Sequence, residues 1–98
     1  MKIIYTDKAL TSFTKILDFL VYIWNEDIEQ DFISIVDKIE ISLIKNPELG
    51  KITINNIREI VLHKNANLYY EYDHANAQIK FLLFKDNRQN PESYLKQL

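Results

Sequence analysis

Cysteine is absent, which removes disulfides, thiolate metal sites and cysteine nucleophiles together and fits a reducing compartment such as the cytoplasm. A single glycine leaves no material for a glycine-rich phosphate loop, and two prolines leave little room for linkers. No apolar run approaches the length of a bilayer span, and Lys2 and Asp7 bring charge too early for a secretory leader. The expectation is a cytoplasmic protein without membrane contact. His63 and His74 stand eleven residues apart in separate polar stretches, which is no metal constellation. Ser12, Ser34, Ser42 and Ser93 sit in no recognised nucleophile motif, so acyl-enzyme hydrolysis has no support. Neither a metal nor a cofactor is expected.

What remains is an ordinary globular composition, 47% hydrophobic and 27% charged over 98 residues. A chain of that length wraps one core and cannot divide it, so residues 1–98 are read as a single domain. The formal charge of −2 is unevenly spread: residues 1–50 hold five Lys against nine acids, residues 51–98 hold five Lys and two Arg against five. Both arginines, Arg58 and Arg88, fall in the second half, where a polyanion would approach if one binds. Chance scatter of surface charge is the alternative.

Lys2 to Tyr5 is a short β-favouring run, and Thr6 stands where a helix N-cap would. Leu10, Phe13, Ile16, Leu17, Leu20, Val21 and Trp24 then recur at helical spacing, interrupted by Asn25 to Asp27. Ile28, Phe32, Ile35, Val36, Ile39 and Leu43 repeat the pattern, with Asp27, Glu29 and Asp31 at its start, where the helix dipole favours anions. An antiparallel helical hairpin follows, stopped by Asn46-Pro47-Glu48-Leu49-Gly50. Beyond residue 52 the period becomes that of strands, over 57–62, 68–72 and 79–84, separated by His63-Lys64-Asn65 and Asp73-His74-Ala75-Asn76. The fold class predicted is α+β: an N-terminal strand, the hairpin and a C-terminal antiparallel meander, β-α-α-β-β-β, with four antiparallel strands in one sheet. Trp24, Phe13, Phe32, Ile39, Leu68 and Phe81 are the expected core, and the doubly apolar run Phe81 to Phe84 should lie inside the sheet.

That order resembles the RelE/ParE toxin superfamily. Three local matches carry the resemblance: Asn46-Pro47 with Gly50 behind it, Arg58 early in the first meander strand, and Phe84-Lys85-Asp86-Asn87-Arg88-Gln89-Asn90-Pro91, which looks like the family ending F-x-D-x-R-Q-x-P. The resemblance implies the toxin of a type II toxin–antitoxin system with a cognate antitoxin as partner. It implies either a RelE-type, ribosome-dependent mRNA endonuclease that blocks translation, or a ParE-type inhibitor of DNA gyrase without an active site. An inactive relative that acts only by binding is the third possibility.

For the nuclease reading, cleavage without a metal needs a proton acceptor, cations for the phosphorane and a donor for the leaving oxygen. Arg58 and Arg88 suit the cationic role, since guanidinium matches phosphate oxygens with a planar fork; pairing of Arg58 with Glu71, and of Arg88 with Asp86 or Glu92, is the alternative. Tyr94 follows Arg88 by six residues, a spacing similar to that of the C-terminal Tyr in RelE-type nucleases, which stacks on a base or assists proton transfer; an amphipathic ring resting on the sheet is the alternative. The lysines those enzymes carry before and within the first meander strand are thinned here to Lys51. His63 and Lys64 can substitute as substrate contacts, histidine being the side chain best suited to acid–base work near neutrality, and His63 reads equally as a plain turn residue.

Overall fold

The computed structural model describes residues 1–23, 26–63 and 66–87, with the backbone alone over 20–23 and 26–29. Strand β1 (Lys2–Tyr5) leads into helices α1 (Asp7–Ile23) and α2 (Glu26–Lys45), followed by β2 (Lys51–Ile52), β3 (Ile57–His63), β4 (Ala66–Asp73) and β5 (Gln78–Asp86). The α+β class, the N-terminal strand, the helical hairpin and the meander are as expected. The sheet differs from expectation in two respects. It has five strands in the order β1-β5-β4-β3-β2, because Lys51 and Ile52 fold back on Glu59 and Arg58 through a turn closed by Thr53 N–H to Ile57 O at 2.9 Å, with Asn55 at a φ of 54°. It is also mixed, since β1 runs parallel to β5. The hairpin between β1 and the meander carries the chain back over the sheet, which lets the first and last strands lie side by side in one direction.

Thr6 caps α1 as its position suggests: its Oγ1 accepts from Ala9 N–H at 3.1 Å. The same hydroxyl donates to Phe81 O at 2.9 Å. Where β1 ends, β5 loses its partner on that side, and side chains of α1 replace it, Ser12 Oγ accepting from Phe84 N–H at 3.0 Å. This stretch of β5 contains a bulge, with Tyr69 opposite Leu83 but Tyr70 opposite Phe81, so Leu82 is the extra residue.

Both helices cover one face of the sheet. Ala9, Ile16, Phe32, Val36 and Leu43 meet Leu62, Ala66, Leu68, Tyr70, Ile79, Phe81 and Phe84 in a single core. Of the expected core residues, Phe32, Leu68 and Phe81 are buried and Phe13 and Ile39 pack against the cluster partly buried, while Trp24 lies outside the described residues. Phe13 joins helix to sheet, its ring centroid 5.1 Å from Phe84 and 5.7 Å from Phe32. Tyr5 Oη donates to Glu40 Oε1 at 2.5 Å, fastening β1 to α2; burial first and then this carboxylate push the phenol well above its usual range, so it stays a donor. Among the described residues, no element packs on the opposite face.

Candidate functional site

Two features at the end of the sheet bearing β2 and β3 are candidates: a clamped loop on the helical side and a polar row on the open side. Strand alternation separates them, since neighbouring residues of β3 point to opposite faces.

On the helical side, Arg58 lies directly across from Tyr70, and both reach the loop that follows α2. Arg58 Nη1 donates to Gly50 O at 2.7 Å and Glu48 O at 3.1 Å. Tyr70, with no exposed surface, donates its hydroxyl to Pro47 O and accepts from Gly50 N–H, each at 2.8 Å. Burial raises this phenol above its ordinary range, which keeps the proton that the bond to Pro47 uses. Asn46 closes the other end: its N–H bonds Ser42 O, its Oδ1 accepts from Glu48 N–H and its carbonyl from Leu49 N–H. The loop is thereby pinned where its single glycine allows the closest approach, and it delivers Lys51 into β2 at a fixed register.

On the open side, the register aligns Lys51 of β2 with Glu59 of β3, Glu59 with Tyr69 of β4, and Tyr69 with Leu83 of β5. The next row holds Val61, Asn67 and Lys85. Asn67 Nδ2 donates to Glu59 Oε2 at 2.8 Å, and Asn87 Nδ2 donates to Asn67 Oδ1 at 2.8 Å. Tyr69 also hydrogen-bonds Glu59; these bonds, the tyrosine's first, hold the carboxyl below its usual range, with Lys85 and Lys51 adding to the effect. The same bond raises the Tyr69 phenol. Glu59 is thus a firmly ionised, weakly basic carboxylate flanked by two cations.

A pH dependence follows. Because the folded carboxyl titrates below the unfolded one, Glu59 contributes stability above the unfolded value of about 4.5 and loses it as pH falls through the lower folded value. The Tm difference between wild type and Glu59→Gln should therefore be constant from pH 7 down to about 5 and shrink below about 4.5. A difference that stays unchanged at lower pH would remove the network from the stability of the fold.

The residues singled out in the sequence divide accordingly. Arg58 is half-buried and committed through one nitrogen to backbone carbonyls rather than to Glu71, which sits opposite Ile57. Lys51 is exposed on the open row and His63 is exposed at the end of β3. Arg88, Tyr94 and Lys64 lie outside the described residues, as do the partners Glu92 and the end of the F-x-D-x-R-Q-x-P run. Glu59, Asn67, Tyr69 and Tyr70 were not singled out; a Glu beside Arg58 in the middle of an apolar strand was the available signal. A cleft of about 440 Å³ opens between α1 and the end of β5, lined by Lys15, Phe19, Lys85 and Asp86 among others. Among the described residues, no group of three or more His, Asp and Glu could hold a metal ion, and no helix is long and apolar enough to cross a membrane.

No family model matches the sequence, and no curated protein sequence does. Among solved structures, the chain is similar to one described as "Chromosomal ParDE TA system from P. aeruginosa", with a TM-score of 0.72 and 14% identity over 88% of this chain and 95% of that one. At that identity the likeness is one of fold.

Proposed function

We propose that this chain is the toxin of a type II toxin–antitoxin pair, acting in the cytoplasm as a metal-independent endonuclease on messenger RNA at the ribosome. The observation that carries the toxin reading is the fold likeness to a ParDE chain along nearly its full length, joined to the F-x-D-x-R-Q-x-P run over Phe84 to Pro91. The RNA reading is supported by the polar rows, which set Lys51 and Tyr69 in one line and Lys85 in the next, on a face that no described element covers.

In the reaction, the ribose 2′-hydroxyl gives up its proton and attacks the adjacent phosphorus, the bond from phosphorus to the 5′-oxygen breaks, and that oxygen takes up a proton. Glu59 is engaged across the strands by Asn67 and Tyr69, and imidazole is the side chain best suited to the first transfer near neutrality. That transfer is assigned to His63. Arg88 and the nitrogens of the Arg58 fork other than Nη1 supply charge to the phosphorane, Lys51 and Lys64 hold the substrate backbone, and Tyr94 orients a base or protonates the leaving oxygen.

A ParE-type inhibitor of DNA gyrase is the second reading. It is favoured by the retention of Arg58 by its own loop, which takes part of a phosphate fork out of use. In either case an antitoxin is the partner, and it has apolar surface to cover: Ile41 and Ile44 on α2 and Leu10 on α1 are 57%, 44% and 49% exposed.

Expression without a partner should halt growth, and co-expression of an antitoxin from a neighbouring reading frame should restore it. Normal growth under verified soluble expression would count decisively against a toxin. Primer extension on translated messages, run beside a supercoiling assay, separates the two modes: cut message with normal supercoiling supports the nuclease, uncut message with blocked supercoiling the gyrase inhibitor.

A further inference from the structure

We propose that Asn67 is a positioning residue for Arg88. It is the middle rung of a ladder from Glu59 to Asn87 that fixes the chain one residue before that arginine. The inference rests on the nuclease reading above, in which Arg88 meets the phosphorane, and adds to it a group that touches no substrate.

The ladder starts at a side chain that can only accept. Glu59 Oε2 takes a bond from Asn67 Nδ2 at 2.8 Å. The Tyr69 hydroxyl bonds the same carboxyl, and the two donors, Tyr69 first, hold it ionised below its usual range. An ionised carboxylate has no proton to give, so Asn67 must turn its amide nitrogen toward β3 and its carbonyl oxygen toward β5. That oxygen accepts from Asn87 Nδ2 at 2.8 Å. Each carboxamide is thus oriented by the group before it, and the direction of the whole ladder is set by the charge on Glu59.

The ladder acts where the backbone pairing stops. Strand β5 ends at Asp86, opposite Ala66, so Asn87 is the first residue beyond the sheet's own hydrogen bonds. It lies two residues after Lys85, the cross-strand partner of Asn67, and a diagonal contact across the same face is the one this spacing allows. Asn67 is a firm anchor, because β4 pairs on one side with Val61 and on the other with Lys85 at this position. Both bonds are partly buried, which spares them full competition from water. Arg88 begins about 3.8 Å further along the chain. A long, many-jointed side chain reaches one phosphate reliably only when its point of departure is held, and supporting hydrogen bonds of this kind are how a site achieves that. Both ends of the Asn67 carboxamide are engaged inside the protein, as a positioning role requires.

The test moves the charge along the ladder. Asn67→Asp keeps an oxygen for Asn87 but sets a second carboxylate against Glu59 with no donor between them, so the ladder should open. Adding Glu59→Gln supplies the missing donor: the new amide gives a hydrogen to the new carboxylate, which still accepts from Asn87, and the pair again carries a single charge. Two-dimensional NMR of the full chain reads the Asn87 side-chain amide and the Arg88 backbone amide, and single-turnover cleavage on programmed ribosomes reads the chemical step. In Asn67→Asp both signals should shift, and the chemical step should slow about tenfold or more with KM changed less than about threefold. The double substitution should return both signals and bring the rate to within about threefold of wild type. In an Arg88→Ala background, Asn67→Asp should slow cleavage no further. If Asn67→Asp fails to fold, as judged by circular dichroism, Asn67→Ala breaks the link without adding charge and serves for the same signals and rates.

Signals unmoved by the single substitution overturn the proposal, as do a rate unaffected while the signals shift, a double variant that recovers neither, and a loss that adds in full to that of Arg88→Ala. A wild-type chain that leaves messages whole removes the nuclease reading instead, and the two signals then decide alone: shift and recovery keep Asn67 as the residue that holds Arg88 in place, and their absence removes it.

Discussion

Gly50→Ala is expected to destabilise the fold by about 3 kcal/mol, which for a domain of this size lowers Tm by about 15 °C. A Cβ at that position would stand 2.7 Å from Tyr70 Cε1, 2.8 Å from its hydroxyl and 3.0 Å from Glu59 O. None of the three can move cheaply. The Tyr70 ring is fully buried, its hydroxyl is held by Pro47 and Gly50, and Glu59 O belongs to the backbone of a paired strand. Relief requires the loop to lift, which breaks the bonds from Tyr70 and Arg58 and leaves buried polar groups without partners, at about 1–3 kcal/mol each. Tyr70→Phe removes one of the three contacts together with both hydroxyl bonds, so the two substitutions should cost less together than the sum of their separate effects. A Tm for Gly50→Ala within about 3 °C of wild type would show that the loop is not held as described.

The helical hairpin was legible because its signals are local: a three- and four-residue apolar period, a hydroxyl at Thr6 and the Asn46-Pro47 stop each act within a turn or two of the residues they govern. The parallel seating of β1 beside β5 was not, since it joins residues more than seventy apart and depends on where the hairpin lands. Strand β2 was missed for a different reason. Two residues carry no readable period, and their pairing depends on a turn with Asn55 at positive φ. Tyr70 shows how a core position hides in a sequence: among the aromatic residues of β4 only alternation distinguishes it from Tyr69, and phase is set by the partner strands.

The site was legible in part for the same physical reason. Lys51 and Arg58 were visible as cations near the right strand, but their assignment to different faces needs the register that pairs Lys51 with Glu59 and Ile52 with Arg58. Glu59 and Asn67 acquire meaning only as cross-strand neighbours; eight residues apart in the chain, they meet each other and the Tyr69 phenol only once β3 and β4 pair in this register. The guanidinium of Arg58 illustrates the opposite risk. An arginine that fits a phosphate also fits two carbonyl oxygens, and residue type alone cannot decide between them.

On the proposed nuclease reading, Arg88→Ala is expected to slow ribosome-dependent message cleavage by about 10²-fold or more while leaving Tm within about 2 °C of wild type. The residue falls in the F-x-D-x-R-Q-x-P run that begins at Phe84; it lies outside the described residues, so the expectation stands on the chemistry of the reaction. As the 2′-oxygen closes on phosphorus, negative charge accumulates on the equatorial oxygens, and a donor that strengthens its bonds at that moment lowers the barrier without tightening ground-state binding. Loss of such a donor reduces kcat rather than raising KM. With Arg58 already bonded through Nη1 to Glu48 and Gly50, less of that burden can shift to it, so the deficit should be larger than in a site with two unengaged guanidinium groups. Arg88→Lys retains the charge and loses the fork, and it should recover only part of the rate. Single-turnover cleavage on programmed ribosomes separates the cases: a slowed chemical step with unchanged binding supports a transition-state contact, a raised KM with unchanged kcat reduces Arg88 to a backbone anchor, and wild-type kinetics in Arg88→Ala would exclude it from the nuclease mechanism altogether.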